Sequence, residues 1–464
     1  MIGHAGTRCC LATGRTCRHG WGNMTASDHD PAKIDWARGD LRGLAIPAHA
    51  AALREAGPAF LTEAFRRFGV LAPDNAVTAV TRFEVWHGGG TGSKAVLDVA
   101  YTRPQPDLPT ALFVKFSRNF DDEIYDRTRH HMEPEVRLAL LSRTPGFPVA
   151  VPACVYADFE QASGTGILIT ERVPYGTGKV EPHYPKCLDH ELPDPLDHYR
   201  ALIRAIARLA GTHKAGGLPA DVAEQFRFDL DRALAADRLP TPDSLRYKVQ
   251  RLRDFAAAYP RLLPADIADP SFLARFEREA LLFVAHAEAI KRFLHSRPAF
   301  IALCHWNANI DNAWFWRGAD GALECGLMDW GSVGQMSLAM SLWGCLSGAE
   351  PVLWKDHLDE LLALFVTQFE GAGGPPLDLA TLRLHLDLYV AMMGLAYLMD
   401  APPRILREIP DLAEVSDRLD PRFTASETAR VQLLMMTNVL ALWRRDDMRR
   451  AIEEAVRESV PPQR

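Results

Sequence analysis

The chain has 464 residues, 48% of them hydrophobic and 24% charged, with 52 Lys and Arg against 59 Asp and Glu for a net charge of −7. That balance excludes global disorder, and the length allows a sizeable core without disulfide staples. A general nucleic-acid binder would be basic, so no nucleic acid is expected as a partner.

The first 23 residues carry Arg8, Arg15 and Arg18 but no acid and no apolar core, so they do not read as a secretory signal. Met24 is the expected start of the protein proper, and the cytoplasm is the expected compartment. Cys9, Cys10, Cys17 and His19 cluster in this leader without the spacing of a zinc site. From about Pro47 to Phe68 the chain is Ala-rich, with Leu53, Phe60, Leu61 and Phe65 near helical spacing. Strands are predicted over Ala76 to Glu84 and Ala95 to Thr102, separated by the glycines Gly88, Gly89, Gly90 and Gly92. A turn leads to a third strand, Ala111 to Phe116. A helix follows from Pro134 to Ser142, and two more strands over Ala153 to Asp158 and Gly166 to Val173.

After Pro174 the pattern becomes helical. Leu196 to His213 keeps a 3.6-residue period through Leu202, Ile203, Ile206 and Leu209. Further helices are predicted over 246–257, 271–295, 355–370, 378–399 and 425–458. Val431 to Trp443, the most apolar stretch, contains Gln432, Thr437 and Asn438 and reads as a buried helix, so no membrane span is expected. The expected organisation is α+β. Residues 1–45 form an N-terminal extension, partly disordered; 46–173 form a β-rich lobe, and 174–464 a helical lobe.

The passage from 301 to 334 interrupts the helices. Apolar runs bracket a polar loop holding His305, Asn307, Asn309, Asp311 and Asn312, and a later strand ends in Asp329-Trp330-Gly331. A carboxylate at a strand end beside a loop Asn is an arrangement that holds Mg²⁺ against phosphates. Read alone, such residues also make turns.

His305-Trp306-Asn307, Asn312, and Leu327-Met328-Asp329-Trp330-Gly331 resemble the catalytic segment of the aminoglycoside phosphotransferase and choline-kinase-like families. Those families carry His-x-Asp, four residues, Asn, then a hydrophobic pair and Asp about 17 to 20 residues on. The resemblance implies a two-lobed protein-kinase-like fold with a small β-rich N-lobe and a large helical C-lobe. It implies ATP and Mg²⁺ as cofactors and a small hydroxylated molecule as acceptor. Gly89, Gly90, Gly92 and Ser93 fall where the phosphate-covering loop belongs. Lys115 matches the ATP-binding lysine and Glu135 its helix partner; Glu133 competes, but the proline after it favours Glu135 inside the helix. Glu171 and Val173 fall at the adenine-holding hinge, His305 and Asn307 in the catalytic loop, and Asn312 and Asp329 at the metal.

The sequence departs from that pattern twice. Asn307 stands where the families have their catalytic Asp, and an amide cannot act as a base at neutral pH. Ser337-Leu338-Ala339 stands where an Asp usually braces the catalytic loop. Asp311, four residues beyond Asn307, is a possible substitute base. Two readings follow: an ATP- and Mg²⁺-dependent phosphotransferase, with Asp329, His305 and Asn307 as its catalytic residues, or a non-catalytic pseudokinase-like protein that binds nucleotide or serves as a scaffold. The acids of the helical lobe are interspersed with arginines, as in Arg227-Asp229-Asp231-Arg232, which speaks against a polycationic aminoglycoside acceptor. Met392, Met393, Tyr397 and Met399 either line a greasy pocket or fill core. The acceptor and the oligomeric state are left open.

Overall fold

The computed structural model describes residues 33–86 and 92–459. The Cys9–His19 cluster therefore lies outside the described residues, as do Gly88, Gly89 and Gly90. A two-stranded ribbon, β1 (Trp36–Arg38) and β2 (Ala45–Pro47), precedes α1 (Ala50–Phe68), so the segment expected as an extension already contributes structure from Trp36. Helix α1 is kinked: Gly57 has φ of 56°, a left-handed value open to glycine, and Pro58 restarts the helix.

Strands β3 (Val77–Trp86), β4 (Ser93–Tyr101), β5 (Ala111–Phe116), β6 (Cys154–Glu160) and β7 (Thr165–Glu171) form one antiparallel sheet in the order β3-β4-β5-β7-β6. Two helices, α2 (Glu123–Asp126) and α3 (Met132–Leu141), are inserted between β5 and β6. The strands alternate as a half-buried sheet requires. Leu112, Val114 and Phe116 of β5 and Ala95, Leu97 and Val99 of β4 belong to the N-lobe core, which leaves Lys115 and Lys94 on the opposite face.

The C-lobe begins with α4 (Pro195–Lys214), α5 (Val222–Gln225), α6 (Leu230–Ala235) and α7 (Pro242–Ala258). The predicted helix over 271–295 is two helices, α8 (Pro270–Ala285) and α9 (Ala287–His295), broken at His286. Four short strands follow as two ribbons: β8 (Ile301–Cys304) pairs with β11 (Gly334–Ser337), and β9 (Ala313–Arg317) with β10 (Leu323–Leu327). Helices α10 (Leu338–Leu346), α11 (Leu358–Gly371), α12 (Leu379–Tyr397), α13 (Ala401–Glu408), α14 (Pro421–Ala425), α15 (Glu427–Arg445) and α16 (Met448–Ser459) complete the lobe. The single helix predicted over 425–458 thus divides after Arg445. The run Leu379–Glu408 is long and apolar enough to cross a membrane by length and hydropathy alone, which corrects the choice of Val431 to Trp443 as the most apolar candidate; 61% of its apolar window is buried inside the fold.

Each lobe has its own core, and α3 contributes to both. Met132 and Val136 pack in the N-lobe core, whereas Leu138 and Leu141 pack in the C-lobe core. The helix that carries Glu135 is therefore fixed from two sides.

Burial holds several C-lobe histidines neutral. His385 is fully buried between Phe293 and Phe300, with ring centroids 4.4 and 4.2 Å away, and neither ring nitrogen has a hydrogen-bond partner among the described residues. Burial, then the charges of Arg297 and His295, push its pKa down to about 3 from 6.5. The unfolded chain takes up this proton first, so the stabilisation from keeping His385 neutral is complete above pH 6.5 and is lost as pH falls from there toward about 3. His385→Phe keeps the ring and removes two unsatisfied nitrogens. Thermal melts from pH 7.5 to 4.5 should show an equal or higher Tm at the neutral end and a shallower decline in acid; an unchanged decline contradicts this account.

Candidate active site

The site is assembled around Lys115. Its Nζ donates to Glu135 Oε1 at 2.7 Å and to Asp329 Oδ1 at 2.6 Å. Glu135 comes from α3 and Asp329 from the loop after β10, so one ammonium ties the sheet, the inserted helix and the C-lobe together. The Trp330 amide adds a donor to Glu135 Oε1 at 3.2 Å. The Lys115 charge pulls Asp329 down to about 2. Burial moves Glu135 the other way, raising its pKa although Lys115 opposes the shift. Glu133 takes no part and pairs with Arg137 at 2.7 Å.

Lys94 lies directly across from Lys115 in the β4–β5 register and is also buried. Burial, then the neighbouring Lys115 charge, lowers its pKa. The N-lobe therefore directs two lysines to one face, the second of which the sequence reading passed over.

The loop from His305 to Asn312 is held by its own polar groups. His305 is fully buried; its Nε2 faces the Met328 carbonyl at 2.9 Å and its Nδ1 accepts from the Asn307 amide at 3.0 Å. Burial pushes its pKa down to about 4. With both nitrogens engaged, the ring fixes the course of the loop. Asn312 Nδ2 donates to the Asn307 carbonyl at 2.9 Å, and the Met328 amide to the Asn312 carbonyl at 2.9 Å, which seats Asn312 beside Asp329. Asp329 has φ of 59°, a left-handed conformation that Asp tolerates better than most residues. Its side chain is 47% exposed, and with Oδ1 on Lys115, Oδ2 has no hydrogen-bond partner among the described residues. Among those residues no cluster of three or more His, Cys, Asp or Glu is arranged around a cation. Asn312 Oδ1 and Asp329 Oδ2 nevertheless form a hard two-oxygen donor set of the kind that suits Mg²⁺ when phosphates and water complete its shell.

The Asn307 side chain is turned by two donors. Asn309 Nδ2 donates to its Oδ1 at 2.6 Å and Lys186 Nζ at 3.2 Å. The oxygen is therefore occupied, and the amide nitrogen has no hydrogen-bond partner among the described residues. Asp311, the possible substitute base, does not line the cavity beside Asn307. Its Oδ1 is buried without a partner among the described residues, and its charge is felt by Tyr175, Cys187 and Asp189.

A cavity of about 230 Å³ opens beside Asn307 and Lys186. Its walls are largely apolar, with Trp306, Trp343, Tyr389, Tyr397, Met393 and Met435 prominent, and Asp237 and Arg404 interrupt them. Of the four residues suspected of lining a greasy pocket, Met393 and Tyr397 do so, while Met392 and Met399 are fully buried core. Tyr397 Oη donates to Asp237 Oδ1 at 2.8 Å.

Ser337 does not brace the loop: its Oγ is buried without a partner among the described residues. The bracing comes from further along α10. Ser341 Oγ donates to the His305 carbonyl at 3.0 Å, and a Cβ on Gly344 would lie 1.8 Å from the Trp306 carbonyl oxygen. Helix α10 can abut the loop only because position 344 has no side chain.

Of the expected nucleotide residues, Gly89 and Gly90 lie outside the described residues. Gly92 has φ of 59°, and a Cβ there would fall 1.9 Å from the Phe116 carbonyl oxygen. Ser93 Oγ donates to the Arg118 carbonyl at 3.1 Å, so this hydroxyl fastens the hairpin to the end of β5. Glu171 ends β7 and its amide donates to Ala153. The Val173 carbonyl accepts from Tyr175, while its amide has no partner among the described residues.

Lys115→Met strands Glu135 in a buried site without its counter-charge, which should cost about 3 kcal/mol in urea unfolding. Adding Glu135→Gln should recover part of that loss; additive losses would mean the pair is not coupled. Gly344→Ala should raise amide exchange of the 305–312 loop selectively, because the new methyl group must displace the Trp306 carbonyl; uniform exchange would argue against this contact.

No family model matches the chain, and no curated protein does. Among solved structures, the chain is similar to a microcompartment-associated aminopropanol kinase, at 14% identity over 85% of this chain and 98% of that one, with a TM-score of 0.42. It is similar to a choline/ethanolamine kinase family protein from Mesorhizobium loti, at 16% identity over 82% and 98%, with a TM-score of 0.35. It is also similar to a spectinomycin phosphotransferase, solved with ADP and spectinomycin, at 12% identity over 78% and 94%, with a TM-score of 0.38.

Proposed function

We propose that the protein is an ATP- and Mg²⁺-dependent phosphotransferase acting on the hydroxyl of a small, largely apolar molecule. The observation that carries this reading is the Lys115–Glu135–Asp329 ion-pair cluster, linked through Met328 and Asn312 to Asn307, which lines an apolar cavity. In this reading the unpartnered Val173 amide takes adenine, and Lys115 contacts the α and β phosphates. Asn312 and Asp329 would hold Mg²⁺, which when bound offsets the phosphate charge. Lys115 must give up part of its hold on Asp329 for this, and it keeps Glu135 as it does so.

Asn307 presents its amide nitrogen to the acceptor and donates to the hydroxyl oxygen, which fixes the attacking lone pair toward phosphorus. It takes no proton. Phosphoryl transfer through a loose transition state depends on position and charge more than on a base, so this residue lowers the attainable rate without removing the reaction. The aromatic and methionine walls exclude water and accept an apolar body. A non-catalytic nucleotide-binding protein is the second reading, and the amide at 307 is the observation in its favour.

The test is a thermal-shift titration with ATP, with and without Mg²⁺, on wild type and Asp329→Ala. A Mg²⁺-dependent rise should appear in wild type, about 2.7 kcal/mol of stabilisation at a hundredfold excess over Kd, and be lost in the variant. No shift with any nucleotide would remove this reading. A shift without turnover across a panel of alcohols would favour the second.

A further inference from the structure

We infer that Lys186 is a catalytic residue: its ammonium contacts the phosphoryl group in transit and supplies the charge that an aspartate at 307 would not. This rests on the phosphotransferase reading above.

Lys186 lies in the segment that links the hinge to α4, far in sequence from the 301–334 passage. Its Nζ nevertheless donates to Asn307 Oδ1 at 3.2 Å, and it lines the same cavity. Asn307 is tied through its carbonyl to Asn312, which is tied to Met328, the neighbour of Asp329. The ammonium thus lies at the wall of the acceptor cavity and is linked through Asn307 and Asn312 to the segment that carries Asp329. Its backbone is anchored rather than loose. Arg430, itself buried on α15, donates from Nε to the Lys186 carbonyl at 2.8 Å, and the next residue, Cys187, is buried with φ of 59°. Among the described residues no carboxylate lies within ion-pair distance of Lys186. A cation held at a cavity wall against a neutral amide is one whose charge is still available to an incoming anion.

The chemistry balances without a base on the protein. The acceptor oxygen forms its bond to the γ-phosphorus as the bond from phosphorus to the β–γ bridging oxygen breaks. The electron pair of that bond leaves with the nucleoside diphosphate, and the hydroxyl proton passes to an oxygen of the transferred phosphoryl and then to solvent. Asn307 holds the acceptor oxygen. Lys186 keeps its protons and donates to the equatorial oxygens, where charge accumulates.

The test uses the full chain and needs no acceptor. Thermal shift and calorimetry are run with Mg²⁺ and ADP, then with aluminium fluoride added to occupy the place of the transferring phosphoryl. In wild type, aluminium fluoride should tighten binding beyond ADP alone. Lys186→Met should bind MgADP as wild type does but lose about tenfold or more of the extra tightening, the scale of one charge-assisted hydrogen bond. Lys186→Arg should retain part of it. An increment unchanged in Lys186→Met overturns the inference and leaves Lys186 for an anionic group on the acceptor. So does a wild type that binds MgADP without any increment, or an arginine variant as defective as the methionine one. A wild type that does not respond to MgADP at all overturns the nucleotide reading itself, a separate failure.

Discussion

One ammonium group holds the two halves of this protein in register. Lys115 belongs to the sheet, Glu135 to the inserted helix and Asp329 to the C-lobe, and both carboxylates lie within 2.7 Å of the same nitrogen. Taking these charges out of water costs several kcal/mol each, and only close mutual contact offsets it. The two carboxylates divide the cost unequally. Asp329 is half-exposed and strongly acidic beside Lys115, while the more buried Glu135 is pushed toward its neutral form. The outer contact is the one that can loosen when a ligand arrives; the inner one, reinforced by the Trp330 amide, stays.

The two cores meet at α3, and that keeps Glu135 in place beside Lys115. A helix packed on one lobe alone could swing away and take Glu135 with it. Here Met132 and Val136 hold one side and Leu138 and Leu141 the other. A similar economy governs the loop below. His305, neutral and doubly engaged, sets the loop from inside, and Ser341 and Gly344 let α10 close on it from behind. At the front stand the amide nitrogen of Asn307 and the outer oxygen of Asp329, neither with a hydrogen-bond partner among the described residues, and the ammonium of Lys186, which donates to Asn307 Oδ1.

The cavity beside Asn307 and Lys186 is largely apolar. Two indoles, two phenols and three thioethers contribute to its wall, and its charged residues are four, Lys186, Asp237, Arg404 and Glu427. The amide at position 307 fits such a surrounding, because a carboxylate beside an apolar wall carries a desolvation penalty that an amide avoids.

Periodicity alone determined most of the elements. The run Ala111 to Phe116 read as a strand that carries Lys115, and the 3.6-residue period of α4 marked the first large C-lobe helix. Local spacing was also enough to bring Asn307, Asn312 and Asp329 into one passage, because short ribbons join neighbours in sequence. The sequence could not show the breaks at Gly57, His286 and Asp446, where apolar patterns continue across a change of direction that packing imposes. Nor could it show Lys186, Lys94 or Ser341 in their roles. A lysine in a linker, a lysine on a strand and a serine in an apolar helix have no local signature, and each takes its meaning from a partner that only folding brings near. The sequence determined which chemical groups the chain carries and how each segment repeats; the tertiary structure decided which of those groups share a site, because side-chain contact depends on distance in space and the sequence records only distance along the chain.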